Sequence, residues 1–155
     1  MAVKDNVYRF LSKEEIMEII NLIKEVDSDD VKCRFYLLTL GYKSVDIQNF
    51  TIEEAKDMVN NNTLPEYMLT AFKNSLDARL KSIEEKGLTE DIDYLFVNAN
   101  DKHIHDCYAL RDWRRFLKAN DLGDISMHVY RQSINYLLLN EKYQKNIENE
   151  YEMEV

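Results

Sequence analysis

The chain has 155 residues, 45% of them hydrophobic, with 20 basic against 29 acidic side chains and a formal net charge of -9. That length bounds it to one domain, or one domain and a tail, with enough apolar material for a real core. The acidic balance argues against a strong generic nucleic-acid binder, although the body could be locally basic, and no apolar run approaches the roughly 20 residues that span a membrane.

One Pro and three Gly leave few breakers, so a mostly α fold is expected. Met1 to Leu11 mixes charged and apolar residues and does not read as a signal peptide. Cys33 and Cys107 lack metal-ligand spacing and read as reduced thiols of a cytoplasmic protein.

The first helix opens at Ser12, whose spacing to Glu15 makes a capping box. Ile16, Ile19, Ile20 and Ile23 give it an apolar stripe. A second helix, 30–40, is apolar almost all round through Phe35, Leu37, Leu38 and Leu40, so it should be central, and Gly41 should stop it. Tyr42 to Asp46 starts a short helix with Ile47 and Phe50 as its contacts. Thr51 and Glu54 form a second capping box, opening a short helix or turn through Met58. Pro65 is placed as a first helical residue. The long helix after it carries Met68, Phe72, Leu76, Leu80 and Ile83 and ends at Gly87. The run 93–97 is the best strand candidate. A helix over 104–120 follows, with Ala109, Trp113, Phe116 and Leu117 as its stripe. The last helix is capped by Ser126 and buries Val129, Ile134, Leu137 and Leu138. Residues 1–140 are read as the domain and 141–155 as an acidic tail, where Glu141, Glu148, Glu150, Glu152 and Glu154 stand against Lys142 and Lys145.

Two groups of residues suggest chemistry. His128 and Arg131 share one face of a helix's first turn, where free amides and a planar guanidinium fork suit an anion. The plainer reading is that His128 caps the helix and Arg131 makes a surface ion pair. Arg111, Arg114, Arg115 and Lys118 form a basic cluster, which is either a binding surface or a solvated helix face. His103 and His105 beside Asp101 and Asp106 read as polar surface rather than as zinc ligands. No metal and no cofactor is expected.

In series, these pieces resemble the catalytic domain of the tyrosine recombinases, the phage-integrase family. The likeness covers roughly Arg9 to Leu139 and lies in order and spacing. Arg9 to Ile16 resembles the family's opening helix. Phe35 to Asp46 resembles its first box, a leucine-rich helix followed by Gly-Leu-Arg, two residues and Glu. Leu64-Pro65-Glu66-Tyr67 resembles the segment after the β-hairpin, and Asp93-Tyr94-Leu95-Phe96 a Tyr-Leu-Phe run. Trp113 to Ile125 resembles the helix and turn before the second box. His128-Val129-Tyr130-Arg131 matches that box's His-x-x-Arg.

The resemblance implies a mostly helical recombinase-like fold with a reduced or absent β-hairpin between Phe50 and Leu64. It also implies a site that holds phosphate. Arg131 stands for the second arginine and His128 for the histidine. Lys43 stands where the first arginine belongs, and lysine cannot grip phosphate bidentately. Asp46 replaces a glutamate, and Lys56 is a poor stand-in for the hairpin lysine. The family's nucleophilic tyrosine lies further on than this sequence runs; Tyr136, Tyr143 and Tyr151 come too soon. No catalytic residue is therefore expected, and Lys43, His128 and Arg131 are remnants. The family's N-terminal DNA-clamping domain is not in this sequence, which also suits the C-terminal domain of a longer protein.

The expected function is a catalytically inactive, integrase-like regulator of transcription from a phage or prophage, of the kind that represses or maintains lysogeny. It would bind DNA, alone, as a dimer or within a longer parent, through Arg111, Arg114, Arg115, Lys118, His128 and Arg131. The alternative is a protein-interaction or dimerisation module that works through the acidic tail, as a homo-oligomer or with a protein partner. An active tyrosine recombinase is the third reading.

Overall fold

The computed structural model describes the backbone of residues 9–154, and the side chains of those residues except 106, 107 and 143–154. Among the described residues the fold is seven α-helices and no strand. None of these helices is long and apolar enough to cross a membrane.

Helix α1 is Lys13–Lys24. Ser12 Oγ accepts the Glu15 amide, and the Glu15 carboxylate accepts the Ser12 amide, so the capping box forms as its spacing predicts. Arg9 grips the same carboxylate at 2.8 and 2.9 Å. That grip, with the Ser12 amide, holds the Glu15 carboxyl down at about 2.

Helix α2, Asp29–Thr39, is capped by Ser28 and is the hub. Cys33, Phe35, Tyr36, Leu37 and Leu38 are all buried, and α2 packs on α1 and on every later helix named below except α4. Leu40 lies just past its end and is exposed. Gly41 follows with φ at 103°, and its amide and that of Tyr42 close onto the Leu38 and Leu37 carbonyls. This left-handed stop needs glycine and turns the chain back toward the end of the molecule.

Helix α3 is Ser44–Gln48 and α4 is Ile52–Asn61, the latter opened by the Thr51–Glu54 capping box and three residues longer than expected. The interval between Phe50 and Leu64 is therefore filled by helix. Pro65 is the N-cap of α5, Glu66–Lys86, rather than its first residue, and Gly87 ends α5 in the left-handed conformation. Leu80 of α5 is 37% exposed and does not join the buried core.

The run 93–97 does not form a strand. It makes two isolated antiparallel bridges, Thr51 to Tyr94 and Val97 to His103. Leu95 and Phe96 are adjacent and both buried, which a two-residue strand period forbids on one face. The Tyr94 carbonyl is taken by the buried Arg79, whose Nε donates to it at 2.9 Å, while Arg79 Nη2 donates to the Asp91 carbonyl at 2.7 Å. A guanidinium thus occupies acceptors that a neighbouring strand would have used.

Helix α6, Asp106–Ala119, buries Ala109, Trp113, Phe116 and Leu117. Helix α7 is Met127–Glu154, so the backbone of the acidic segment continues as helix. Cys33 donates to Ser75 Oγ, which donates to Asp30. Burial pushes the Cys33 thiol up to about 12, so it stays protonated and inert. The side chain of Cys107 lies outside the described residues.

Candidate functional site

Ser126 starts α7 by accepting the Val129 amide at 3.0 Å. Tyr130 then turns fully inward and packs on Trp113, with ring centroids 5.0 Å apart. Its hydroxyl lies 2.7 Å from Thr39 Oγ1. Thr39 has one proton and gives it to the Phe35 carbonyl at 2.8 Å, so Tyr130 is the donor in this pair. Burial raises the Tyr130 phenol well above the ordinary tyrosine range. The Trp113 indole donates to the Ile125 carbonyl at 2.7 Å, which ties α6 to the turn before α7. The start of α7 is thus fixed against both α2 and α6.

With Tyr130 pinned inward, the polar residues around it face out. Arg131 Nη2 lies 3.3 Å from His128 Nδ1. A guanidinium can only donate, so Nδ1 accepts and the ring proton sits on Nε2, free to donate to a ligand.

Arg131 lines a cleft of about 270 Å³. One wall is the end of α2 and the turn after it: Thr39, Leu40, Gly41 and Lys43. The other is α7: Arg131, Gln132, Ile134, Asn135 and Leu138. No carboxylate is among these lining residues. Two cations and two carboxamides on a partly screened surface suit an anion, since charge-assisted hydrogen bonds are roughly twice as strong as neutral ones.

Lys43 and Arg131 thus line one cleft although they are far apart in sequence, while His128 contacts Arg131 without lining the cleft itself. The structure does not bring the α6 cations to them. Arg111, Arg114, Arg115 and Lys118 are all exposed. Arg114 and Lys118 border a separate depression with Asp121 and Asp124. Arg115 borders another with Glu25, Asp27 and Asp112, and Arg111 stands 4.6 Å over the Tyr108 ring. Lys56 lies in yet another groove, beside Glu53. Asp46 is exposed and does not line the cleft.

Gln132 and Asn135 are cleft residues that the sequence reading passed over. A signal was present: His128, Arg131, Gln132 and Asn135 repeat at helical spacing and mark one polar stripe. Tyr136 does not line the cleft; its ring stacks on Phe10 at 5.0 Å.

His103 has a structural position. Its ring stacks on Tyr94 with centroids 3.7 Å apart, and Nε2 contacts the Gln48 carbonyl at 2.9 Å. Among the described residues no group of three or more His, Cys, Asp or Glu side chains is placed to hold a metal. No family model, no curated protein and no solved structure matches the chain.

Proposed function

We propose that this chain is a catalytically inactive, integrase-like DNA-binding regulator of the phage or prophage repressor type, or the C-terminal domain of one, acting in the cytoplasm. The carrying observation is the cleft in which Lys43 and Arg131 meet without a carboxylate, with His128 held against Arg131. That is a seat for a backbone phosphate, which positions a protein on DNA but reads no sequence. The exposed α6 cations give further phosphate contacts on a neighbouring surface. Inactivity rests on residues: Lys43 lacks the planar fork that steadies a phosphoryl transition state, and neither Tyr130 nor Tyr136 lines the cleft. The test is a mobility shift of duplex DNA at low salt with the unmutated chain and with Arg131→Ala. A shift that weakens in the variant supports this reading; no shift, or equal shifts, removes it.

A second reading is an interaction module without direct DNA contact. It is favoured by Tyr136, Leu138 and Leu139, which are 52%, 58% and 59% exposed along α7. Sedimentation that finds a monomer at every concentration counts against it.

A further inference from the structure

A different cavity lies where α1 and α6 end and α2 begins. It holds about 340 Å³ and shares no lining residue with the α2–α7 cleft. Its floor is apolar: Phe35 and Phe116 are buried, their ring centroids 5.1 Å apart, and Leu22, Val26 and Val31 continue the surface.

The rim is charged, with Glu25, Asp27 and Asp112 on one side of the balance and Arg115 on the other. Asp112 is committed to Arg34 at 2.6 Å. Among the described residues, Glu25, Asp27 and Arg115 enter no ion pair. Uncommitted charge of both signs therefore flanks one hydrophobic floor. Backbone dipoles add to it. Helix α1 ends with Glu25 as its C-cap, and α6 ends with Asn120 as its C-cap. Two helix C-termini at one cavity favour a cation between them. The Val31 amide at the start of α2 is already taken by Ser28, so the group left to hold an anion is Arg115.

Size narrows the ligand. Small-molecule sites run from roughly 300 to 1,000 Å³, and this cavity stands at the lower end. A ligand that uses every feature carries an ammonium, a carboxylate and an apolar body on one small frame. We propose that the cavity binds a free α-amino acid with an aromatic or branched apolar side chain. The side chain lies on Phe35 and Phe116. The ammonium meets Glu25 and Asp27 between the two helix ends. The carboxylate takes the Arg115 guanidinium, whose planar fork fits it bidentately. A neutral apolar molecule leaves the rim charges unused, and a simple amine brings a cation to Arg115 with nothing to offset it. The site does not rest on the nucleic-acid reading above, although Arg115 is a residue the two share.

Isothermal titration calorimetry of the full chain at low salt tests this with L-phenylalanine, L-leucine, glycine, phenethylamine and 3-phenylpropionate. L-phenylalanine should bind at least about tenfold more tightly than phenethylamine, which lacks the carboxylate, and than 3-phenylpropionate, which lacks the ammonium, since each loses a charge-assisted contact. Glycine, without an apolar body, should be weaker still. The unfolding temperature should rise with L-phenylalanine concentration, because a ligand of the folded state stabilises it by mass action. Arg115→Ala should weaken L-phenylalanine about tenfold and leave phenethylamine no weaker, a pattern that unfolding cannot produce. Glu25→Gln with Asp27→Asn should weaken both of those ligands and spare 3-phenylpropionate. No heat and no stabilisation with L-phenylalanine or L-leucine overturns the proposal. Equal affinity for L-phenylalanine and phenethylamine, or an Arg115→Ala chain that discriminates between them as before, overturns it as well.

Discussion

Arginines stand in two very different places in this molecule. Arg34 and Arg79 are 8% and 5% exposed, while Arg111, Arg114 and Arg115 stand in solvent on α6 and Arg131 sits half-buried at the cleft. Arg34 reaches from α2 to Asp112 of α6 at 2.6 Å and lies 5.3 Å over the Phe96 ring. Arg79 holds the Asp91 and Tyr94 carbonyls and pins the loop that leads to Phe96. Each also keeps one buried nitrogen without a hydrogen-bond partner, Arg34 Nε and Arg79 Nη1. The difference teaches that charge alone does not mark a binding residue. The buried pair is committed to the fold, whereas the α6 cations stand in solvent and Arg131 lines the cleft.

The strongest way to break this contrast is Asp112→Ala. It leaves Arg34 charged, buried and unpaired, and should cost about 3 to 5 kcal/mol in urea unfolding. A loss below about 1 kcal/mol would place Arg34 with the surface cations instead. Arg79→Ala removes two hydrogen bonds from a charged donor and should cost about 3 kcal/mol by the same measurement. Its near-ultraviolet circular dichroism should change as well, because the loop it pins carries Tyr94 and Phe96.

Arg131→Ala belongs to the other class. Stability should stay within about 0.5 kcal/mol of the unmutated chain. DNA affinity should fall about tenfold, or about 1.4 kcal/mol, across unrelated sequences, as expected for a phosphate contact. A variant that unfolds early would move Arg131 into the structural class. The smallest effect is expected at the Arg9–Glu15 contact, an exposed counterpart of Arg34–Asp112. Glu15→Ala should cost about 1 kcal/mol, mainly through the capping box. The sign with pH follows from the lowered carboxyl: its contribution is complete above about 4.5 and is lost as pH falls toward about 2. Acid titration of the unmutated chain and the variant should diverge above that window and converge at its lower end.

The contrast also explains which parts could be read from sequence. Ser12–Glu15, Thr51–Glu54, Gly41 and Gly87 are local signals, because each needs only its own few neighbours to act, and each acts as expected. Arg34 could not be recognised, since its partner Asp112 is brought to it by the packing of α6 on α2. The phase of α7 is legible only in part for a related reason: Ile134 and Leu137 pack on the core as expected, and Leu138 does not. Its inward stripe is Tyr130, Ser133, Ile134 and Leu137, with Ser133 accepting the Leu11 amide at 2.9 Å. Expected Leu138 is exposed, because Tyr130 and Ser133 look polar in sequence and are apolar or satisfied in place. His128 and Arg131 follow from helical spacing and Lys43 from a resemblance alone, and the cleft that Lys43 shares with Arg131 is a separate geometric observation. The α6 cations were named as one group, yet they divide among several depressions because Trp113 and Phe116 set that helix's rotation.

Salt dependence is the most direct measure of whether outward cations meet phosphate. Duplex binding should fall linearly in log affinity against log salt, and Arg131→Ala should flatten that slope by about one, since each neutralised phosphate contributes about 0.9. Binding absent at low salt, or a slope that Arg131→Ala leaves unchanged, would contradict a phosphate seat at the α2–α7 cleft.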